Sequence, residues 1–282
     1  MLPFGLFLKF AIVFILTSTI SFMRFKLSLQ IQPEVMGREL PINYQYPLQA
    51  AIYRTLAQSD LDFSTWLHEN GYQLNKDKRF KLFTFSNLIV PQYGINKERE
   101  RLIIKSNTVT LFISFLPEKS TQKYIQGLFQ QQTIQIADYL SGVQFQVREI
   151  QVMPSLDYHP DMVFKTLSPI CVSCHNERGK MDYISPTDSR YELGLLTGLL
   201  ARYDTIHGQP FSGEPYCHIH LLNEPKSALV RITAGTPNET RVRGYRYQFK
   251  IDLPEELMQI AYESGLGEKG SMGFGMIENI KM

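Results

Sequence analysis

The chain has 282 residues, 44% hydrophobic and 20% charged, an ordinary globular composition long enough for two small domains. A net charge of +2 excludes a globally basic nucleic-acid binder, so any such site must be a local patch. The three cysteines, Cys171, Cys174 and Cys217, do not read as a disulfide framework and fit a reducing, cytoplasmic setting.

Residues 1–22 are apolar and carry one charge, Lys9. Taken literally they form a signal peptide or an anchor. They lack a positive cluster and an A-x-A site, and they are short for a spanning helix. The preferred reading starts translation at Met23 and leaves residues 1–22 outside the fold, with no membrane partner for the mature domain.

The elements then follow in order. A strand is expected over 23–31, where Phe25, Leu27, Leu29 and Ile31 alternate with Lys26, Ser28 and Gln30. Pro47 opens a helix over 47–58 with a stripe of Leu48, Ala51, Ile52, Thr55 and Leu56. Strands are expected over 80–90 and 108–116, the second in a hairpin with an earlier segment. A helix over 120–131 would be capped by Ser120 or Thr121. A strand over 143–153 puts Val143, Phe145 and Val147 on one face. The order is βαββαβ.

Pro154 and the polar residues after it mark a linker, and the order repeats. A strand over 162–170 precedes a helix over 186–206 with Leu193, Leu196 and Leu200 in line. Strands are expected over 216–222 and 241–251, with a short one at 227–233. A helix over 254–264 carries Leu257, Ile260, Ala261 and Ser264 and would end at a left-handed Gly265. A final short strand closes the chain. The fold class is α+β, two tandem ferredoxin-like (RRM-like) units over 23–153 and 160–282. Such a sheet, with one face open, is a common platform for single-stranded RNA.

The stretch GLGEKGSMGFG, 265–275, packs Gly265, Gly267, Gly270, Gly273 and Gly275 around Lys269 and Ser271. Its order is helix, loop, strand, the reverse of a dinucleotide-binding loop. It reads either as a flexible turn with a helix cap or as a loop whose N–H groups and Lys269 approach a phosphate.

His68 is expected in a polar turn, with Tyr53 upstream in the first helix and Lys81 opening a strand. A His can move protons near neutral pH, a Lys can balance charge on a phosphorane, and a Tyr can orient a hydroxyl. A solvated loop His is the plain alternative, and Lys76 and Lys78 compete with Lys81. Downstream, Arg241, Arg243, Arg246 and Lys250 interleave with Tyr245 and Tyr247, which suits phosphate contact and base stacking or a solvated strand face.

CVSCH, 171–175, formally matches a c-type haem attachment pattern. It follows an expected strand rather than an N-terminal helix, so an exported haem protein is a remote alternative. A zinc site of Cys171 and Cys174 with Cys217, His218 or His220 is a further option. A strand there would put His218 and His220 on one face and Cys217 on the other.

The sequence AYESGLGEKGSMGFGMIE resembles the C-terminal glycine-rich signature of the Cas-six family, the CRISPR repeat-processing endoribonucleases. MRFKL resembles the family's first strand and LPINYQYPLQAAIYRTL its first helix. WLHENGY with FKLFTFS resembles its catalytic turn and next strand, and LSPI the start of its second domain. The resemblance runs from Met23 to the end of the chain. It implies metal-independent, cofactor-free cleavage of CRISPR precursor RNA within repeats, leaving a 2′,3′-cyclic phosphate. It implies His68 as general acid/base, Tyr53 as positioner and Lys81 as transition-state stabiliser. It places the glycine loop and Lys269 near the cut, so a bulky residue at Gly273 or Gly275 should weaken RNA binding and spare the fold. Expected partners are repeat RNA, other CRISPR effector subunits and a second copy in a homodimer. A relative that binds repeat RNA without cutting it is the nearest alternative.

Overall fold

The computed structural model describes residues 23–75 and 78–280. The leader and Lys76 lie outside the described residues.

Alternation in the first strand builds the N-terminal sheet. β1 (Met23–Ile31) pairs antiparallel with β3 (Thr108–Phe115) on one side and β5 (Gly142–Val152) on the other. β2 (Phe83–Phe85) flanks β3, and β4 (Thr133–Ala137) flanks β5, giving the order β2-β3-β1-β5-β4. Phe25, Leu27, Leu29 and Ile31 all point into one core, as the two-residue period requires. Register slips between Ser28 and Leu29 opposite β5, so Ser28 faces Glu149 while Leu29 faces Val147. Two helices cover the inner face. α1 (Gln45–Ser59) buries Leu48, Ile52 and Leu56, and α3 (Glu118–Gln131) buries Tyr124 and Leu128. Between them, α2 (Leu61–Glu69) starts at Asp60, whose carboxylate accepts from the Phe63 N–H at 2.9 Å.

Two expectations here are corrected. The region 80–90 is not one strand. Leu82 takes a left-handed backbone with φ 54°, which breaks the run into Arg79–Phe80 and β2. The α3 cap is Pro117, with no side-chain bond; Ser120 and Thr121 are buried inside the first turn instead.

The C-terminal sheet repeats the topology. β6 (Asp161–Thr166) lies between β10 (Gln248–Asp252) and β11 (Ile277–Asn279), and β7 (His218–Leu221) flanks β10. α4 (Tyr191–His207) and α5 (Glu255–Ser264) complete the βαββαβ pattern. Inserted between β7 and β10 is a hairpin of β8 (Lys226–Ile232) and β9 (Thr240–Arg246). The sequence joins β9 and β10 as one strand; the break falls at Tyr247, whose hydroxyl is hydrogen-bonded to Tyr191 at 2.8 Å in the core. The α4 stripe is also corrected. Leu193 is 66% exposed, and Tyr191, Leu195, Leu199 and Arg202 are the buried row. An all-leucine reading missed it because a tyrosine and an arginine hold two of the four positions.

The units are joined by buried polar groups. Arg24, on the outer face of β1, reaches across to donate to the carbonyl of Ile277 at 2.6 Å and to that of Tyr262, and stacks 3.5 Å over the Tyr262 ring. Among the described residues no helix is long and apolar enough to cross a membrane.

Candidate active site

α2 is only nine residues long, and its end fixes the site. His68 lies in its last turn, exposed, rather than in a polar loop as expected from sequence. Tyr53 comes from the neighbouring α1. Its ring is 8% exposed and meets the His68 imidazole edge to face, with centroids 5.0 Å apart and planes at 87°. Tyr53 also meets the Phe83 ring edge to face, with centroids 5.8 Å apart, so the ring is held by β2 as well. Burial raises the phenol well above its ordinary pKa, so the hydroxyl stays protonated, and it has no hydrogen-bond partner among the described residues.

Lys81 lies between Arg79–Phe80 and β2 rather than at a strand start, and its ammonium donates to the backbone carbonyl of His68. Burial, then the charge of Arg79, lowers its pKa to about 8, with Glu69 opposing. Gly71 makes this approach feasible. It ends α2 with φ 66°, its N–H bonded to Trp66, and a Cβ there would stand 3.0 Å from Lys81 Cδ and 2.6 Å from the Phe80 carbonyl. The Asn-Gly pair after the helix was the available signal for this turn.

From Lys81 a cleft of about 750 Å³ runs between the two units. Lys78, Arg79, Lys81, Arg190, Arg202 and Lys269 are among its lining groups. Among the described lining residues the one acid is Glu268, which accepts from the N–H and hydroxyl of Ser173, both at 2.8 Å, and Arg190 is paired with Asp188 at 2.7 Å. The cleft is therefore an electropositive groove next to His68. On the other side, a recess between α1 and α2 opens at Tyr53 and His68 and includes Arg54.

The glycine loop divides into two parts. Gly267, Lys269, Gly270 and Ser271 line the cleft. Gly265, Gly273 and Gly275 are buried. Gly275 has φ 78°, and a Cβ there would lie 2.2 Å from the Leu266 carbonyl. Its N–H is bonded to Pro169, and Leu266 donates back to it. The expectation that Gly273 and Gly275 tolerate bulk is thus overturned: both are packing positions, and a Cβ on Gly273 would press the Phe85 ring at 2.7 Å. Gly265 also departs from the left-handed cap, with ψ 146°. Sequence reasoning missed what holds this loop. Arg202, in α4, donates to the Ser264 hydroxyl at 3.0 Å, to the Gly267 carbonyl at 2.9 Å and to the Gly265 carbonyl.

The basic ribbon is split. Arg241, Arg243 and Arg246 are exposed on the hairpin, with Tyr245 half-buried. Arg241 is paired with Glu239 at 3.2 Å, and Arg243 bonds the Ser227 hydroxyl. Tyr247 is buried and cannot stack on a base. Lys250 lies on β10, paired with Asp161 at 2.8 Å, in a different sheet from the hairpin.

Among the described residues no three His, Cys, Asp or Glu side chains gather as a metal site. Cys171 is buried with Val230, Val242 and Phe274, while Cys217 sits in the C-terminal core. Burial raises the pKa of both thiols, that of Cys217 to about 12. Thioether attachment of a haem needs both thiols of the motif at a haem face, and Cys171 has no such access.

Comparison with known proteins agrees with this architecture. The profile of CRISPR-associated protein Cas6, N-terminal, matches residues 39–151, and that of CRISPR associated protein Cas6, C-terminal, matches 153–279. The CRISPR-associated endoribonuclease Cas6 1 of Methanocaldococcus jannaschii is 28% identical, over 92% of this chain and 93% of its own. The CRISPR-associated endoribonuclease Cas6 of Pyrococcus furiosus is 25% identical, over 91% and 89%. A solved Cas6-related protein from Pyrococcus furiosus superposes with a TM-score of 0.75 at 26% identity, covering 92% of this chain and 99% of its own. Both ferredoxin-like units are thus matched in sequence and in shape, and the chain belongs to the Cas6 family.

Proposed function

We propose that this protein is an endoribonuclease that cuts CRISPR precursor RNA within its repeats, with no metal or cofactor taking part. The relatives matched over most of the chain are named endoribonucleases. The observation that carries the reading to residues is the convergence of Tyr53 and Lys81 on His68 beside a basic cleft.

In this reading the 2′-hydroxyl attacks the adjacent phosphorus, and the bond to the 5′-oxygen breaks. The 2′ proton leaves to a base and the departing 5′-oxygen gains one, giving a 2′,3′-cyclic phosphate and a 5′-hydroxyl. His68 Nδ1 or Nε2 serves one of these transfers. The Tyr53 hydroxyl, protonated and without a hydrogen-bond partner among the described residues, orients the attacking hydroxyl. The Lys81 ammonium balances charge on the phosphorane oxygens. Lys269, Gly267, Gly270 and Ser271 contact the strand in the cleft, and Arg241, Arg243 and Arg246 extend that contact along the hairpin. The functional units are 23–153, carrying the catalytic groups, and 160–282, carrying the loop. The setting is cytoplasmic, and a second copy and other CRISPR effector subunits are further partners.

The test is cleavage of the host's own repeat RNA, with a chelator present, by protein starting at Met23 and by His68→Ala. One cut by the parent, a blocked cyclic-phosphate 3′ end, and a loss of about 10²–10⁴-fold in the variant support the reading. Tight binding without a cut would replace it with a binding-only role.

A further inference from the structure

A second recess lies on the opposite side of α2 from the catalytic groups. It holds about 520 Å³ and is lined by Asp60, Asp62, Phe63, Trp66, Tyr72 and Lys119. Trp66 and His68 are two residues apart on one helix, so they project about 200° apart around its axis. The recess is therefore separate from the Tyr53–His68 pair.

Its walls are aromatic. Phe63 stacks on Trp66 with centroids 5.7 Å apart and planes at 28°. Tyr72 meets Trp66 edge to face at 5.2 Å. Trp66 nonetheless remains 38% exposed, although Phe63 beneath it is buried. A large flat ring left open over a hydrophobic floor invites another flat ring.

The charges decide which. A cation is a poor guest, because the Lys119 ammonium already sits 4.8 Å over the Phe63 ring. A phosphate is opposed by Asp62 and by Asp60, although the Asp60 carboxylate is engaged by the Phe63 N–H and by Lys123 at 3.2 Å. A neutral planar group bearing N–H donors satisfies both features, since it stacks on Trp66 and donates to the Asp62 carboxylate. Its phosphates would lie toward Lys119, the one lysine among the described lining residues. The recess is also connected to the cleft. Tyr72 pairs across the Tyr72–Gln73 and Arg79–Phe80 strands with Phe80, and Phe80 lines the cleft beside Arg79 and Lys81.

We infer that this recess is a base-stacking site for one unpaired nucleotide of the RNA outside the scissile linkage, one whose base carries an amino group. The inference rests on the RNA-cleaving reading above. The site makes substrate choice depend on a base that the catalytic groups never touch.

Trp66 is the single tryptophan, so tryptophan fluorescence, corrected for absorbance by the added RNA, reports this recess. Repeat RNA is titrated into His68→Ala, and binding is measured in parallel by gel shift. The expected result is saturable quenching, with affinity falling about 5- to 100-fold in Trp66→Ala and largely restored in Trp66→Phe. RNAs carrying one abasic residue, scanned along the repeat, leave the protein untouched. One position should abolish the quench. Full-affinity binding with no quench, or a quench indifferent to every abasic position, overturns the inference while cleavage by the parent still stands. Quenching by trimethyllysine and not by RNA would make the recess a cation cage and also overturn it. A parent that neither binds nor cuts the RNA would instead remove the endoribonuclease reading, and this inference with it.

Discussion

The ammonium of Lys81 donates to the main-chain carbonyl of His68, so the proposed charge stabiliser is tethered to the end of the helix that carries the proposed base. The tether sets distance through the main-chain carbonyl and leaves the His68 imidazole free of it. Burial at this position, then the charge of Arg79, lowers the pKa of Lys81 to about 8.

A pH prediction follows from that value. Lys81 is charged below about 8 and loses its proton above it. The parent's kcat/KM should fall above pH about 8, because that ratio reports the free enzyme. Bound phosphate favours the ammonium, so the corresponding limb in kcat should lie higher. Lys81→Met should lower kcat/KM by about 10²–10³-fold and remove the limb. The limb's persistence in Lys81→Met would assign it to another group.

Tyr53→Phe separates packing from chemistry. It keeps the ring against His68 and Phe83 and removes a buried hydroxyl that has no hydrogen-bond partner among the described residues. The melting temperature should hold or rise, by up to about 1 kcal/mol of stability. Cleavage should fall by up to about 10²-fold if the hydroxyl orients the nucleophile. Full activity in a folded variant would reduce Tyr53 to a packing residue.

The two parts of the glycine loop should respond differently. Gly275→Ala places a Cβ 2.2 Å from the Leu266 carbonyl at positive φ and should cost more than about 1 kcal/mol of stability. Lys269→Gln, facing the cleft, should leave melting unchanged and weaken RNA binding. The slope of log affinity against log salt should become shallower by roughly 0.7. Calorimetry and a salt titration check both.

Glu263 gives stability its own pH dependence. It is buried, accepts from the Tyr158 hydroxyl at 2.8 Å, and burial raises its pKa from 4.5 to about 7 against the pull of Arg24. Between those values the folded chain holds more protons than the unfolded one, so this contribution is full below about 4.5 and is lost as pH rises through about 7. Glu263→Gln should flatten the melting temperature between pH 5 and 7. An unchanged slope would place the dependence elsewhere.

The sequence by itself determined the βαββαβ order of each unit, though not α2 or β4, because a two-residue period in 23–31 and a helical stripe in 47–58 are local signals that burial then enforces. It determined two ferredoxin-like units, since the same order occurs twice, and it singled out Tyr53 and His68, which the fold brings into ring contact. Only the tertiary structure decided the rest. Leu82 breaks a strand that propensity would extend, because its backbone turns left-handed where the chain enters β2. Arg202 and Arg24 are buried pins, and no local pattern marks an arginine whose partners are backbone carbonyls many residues away. The glycines look alike in sequence, yet some line the cleft and others fill the space beside Leu266 and Phe85. That division depends on what the folded chain places against each, which periodicity along the sequence does not encode.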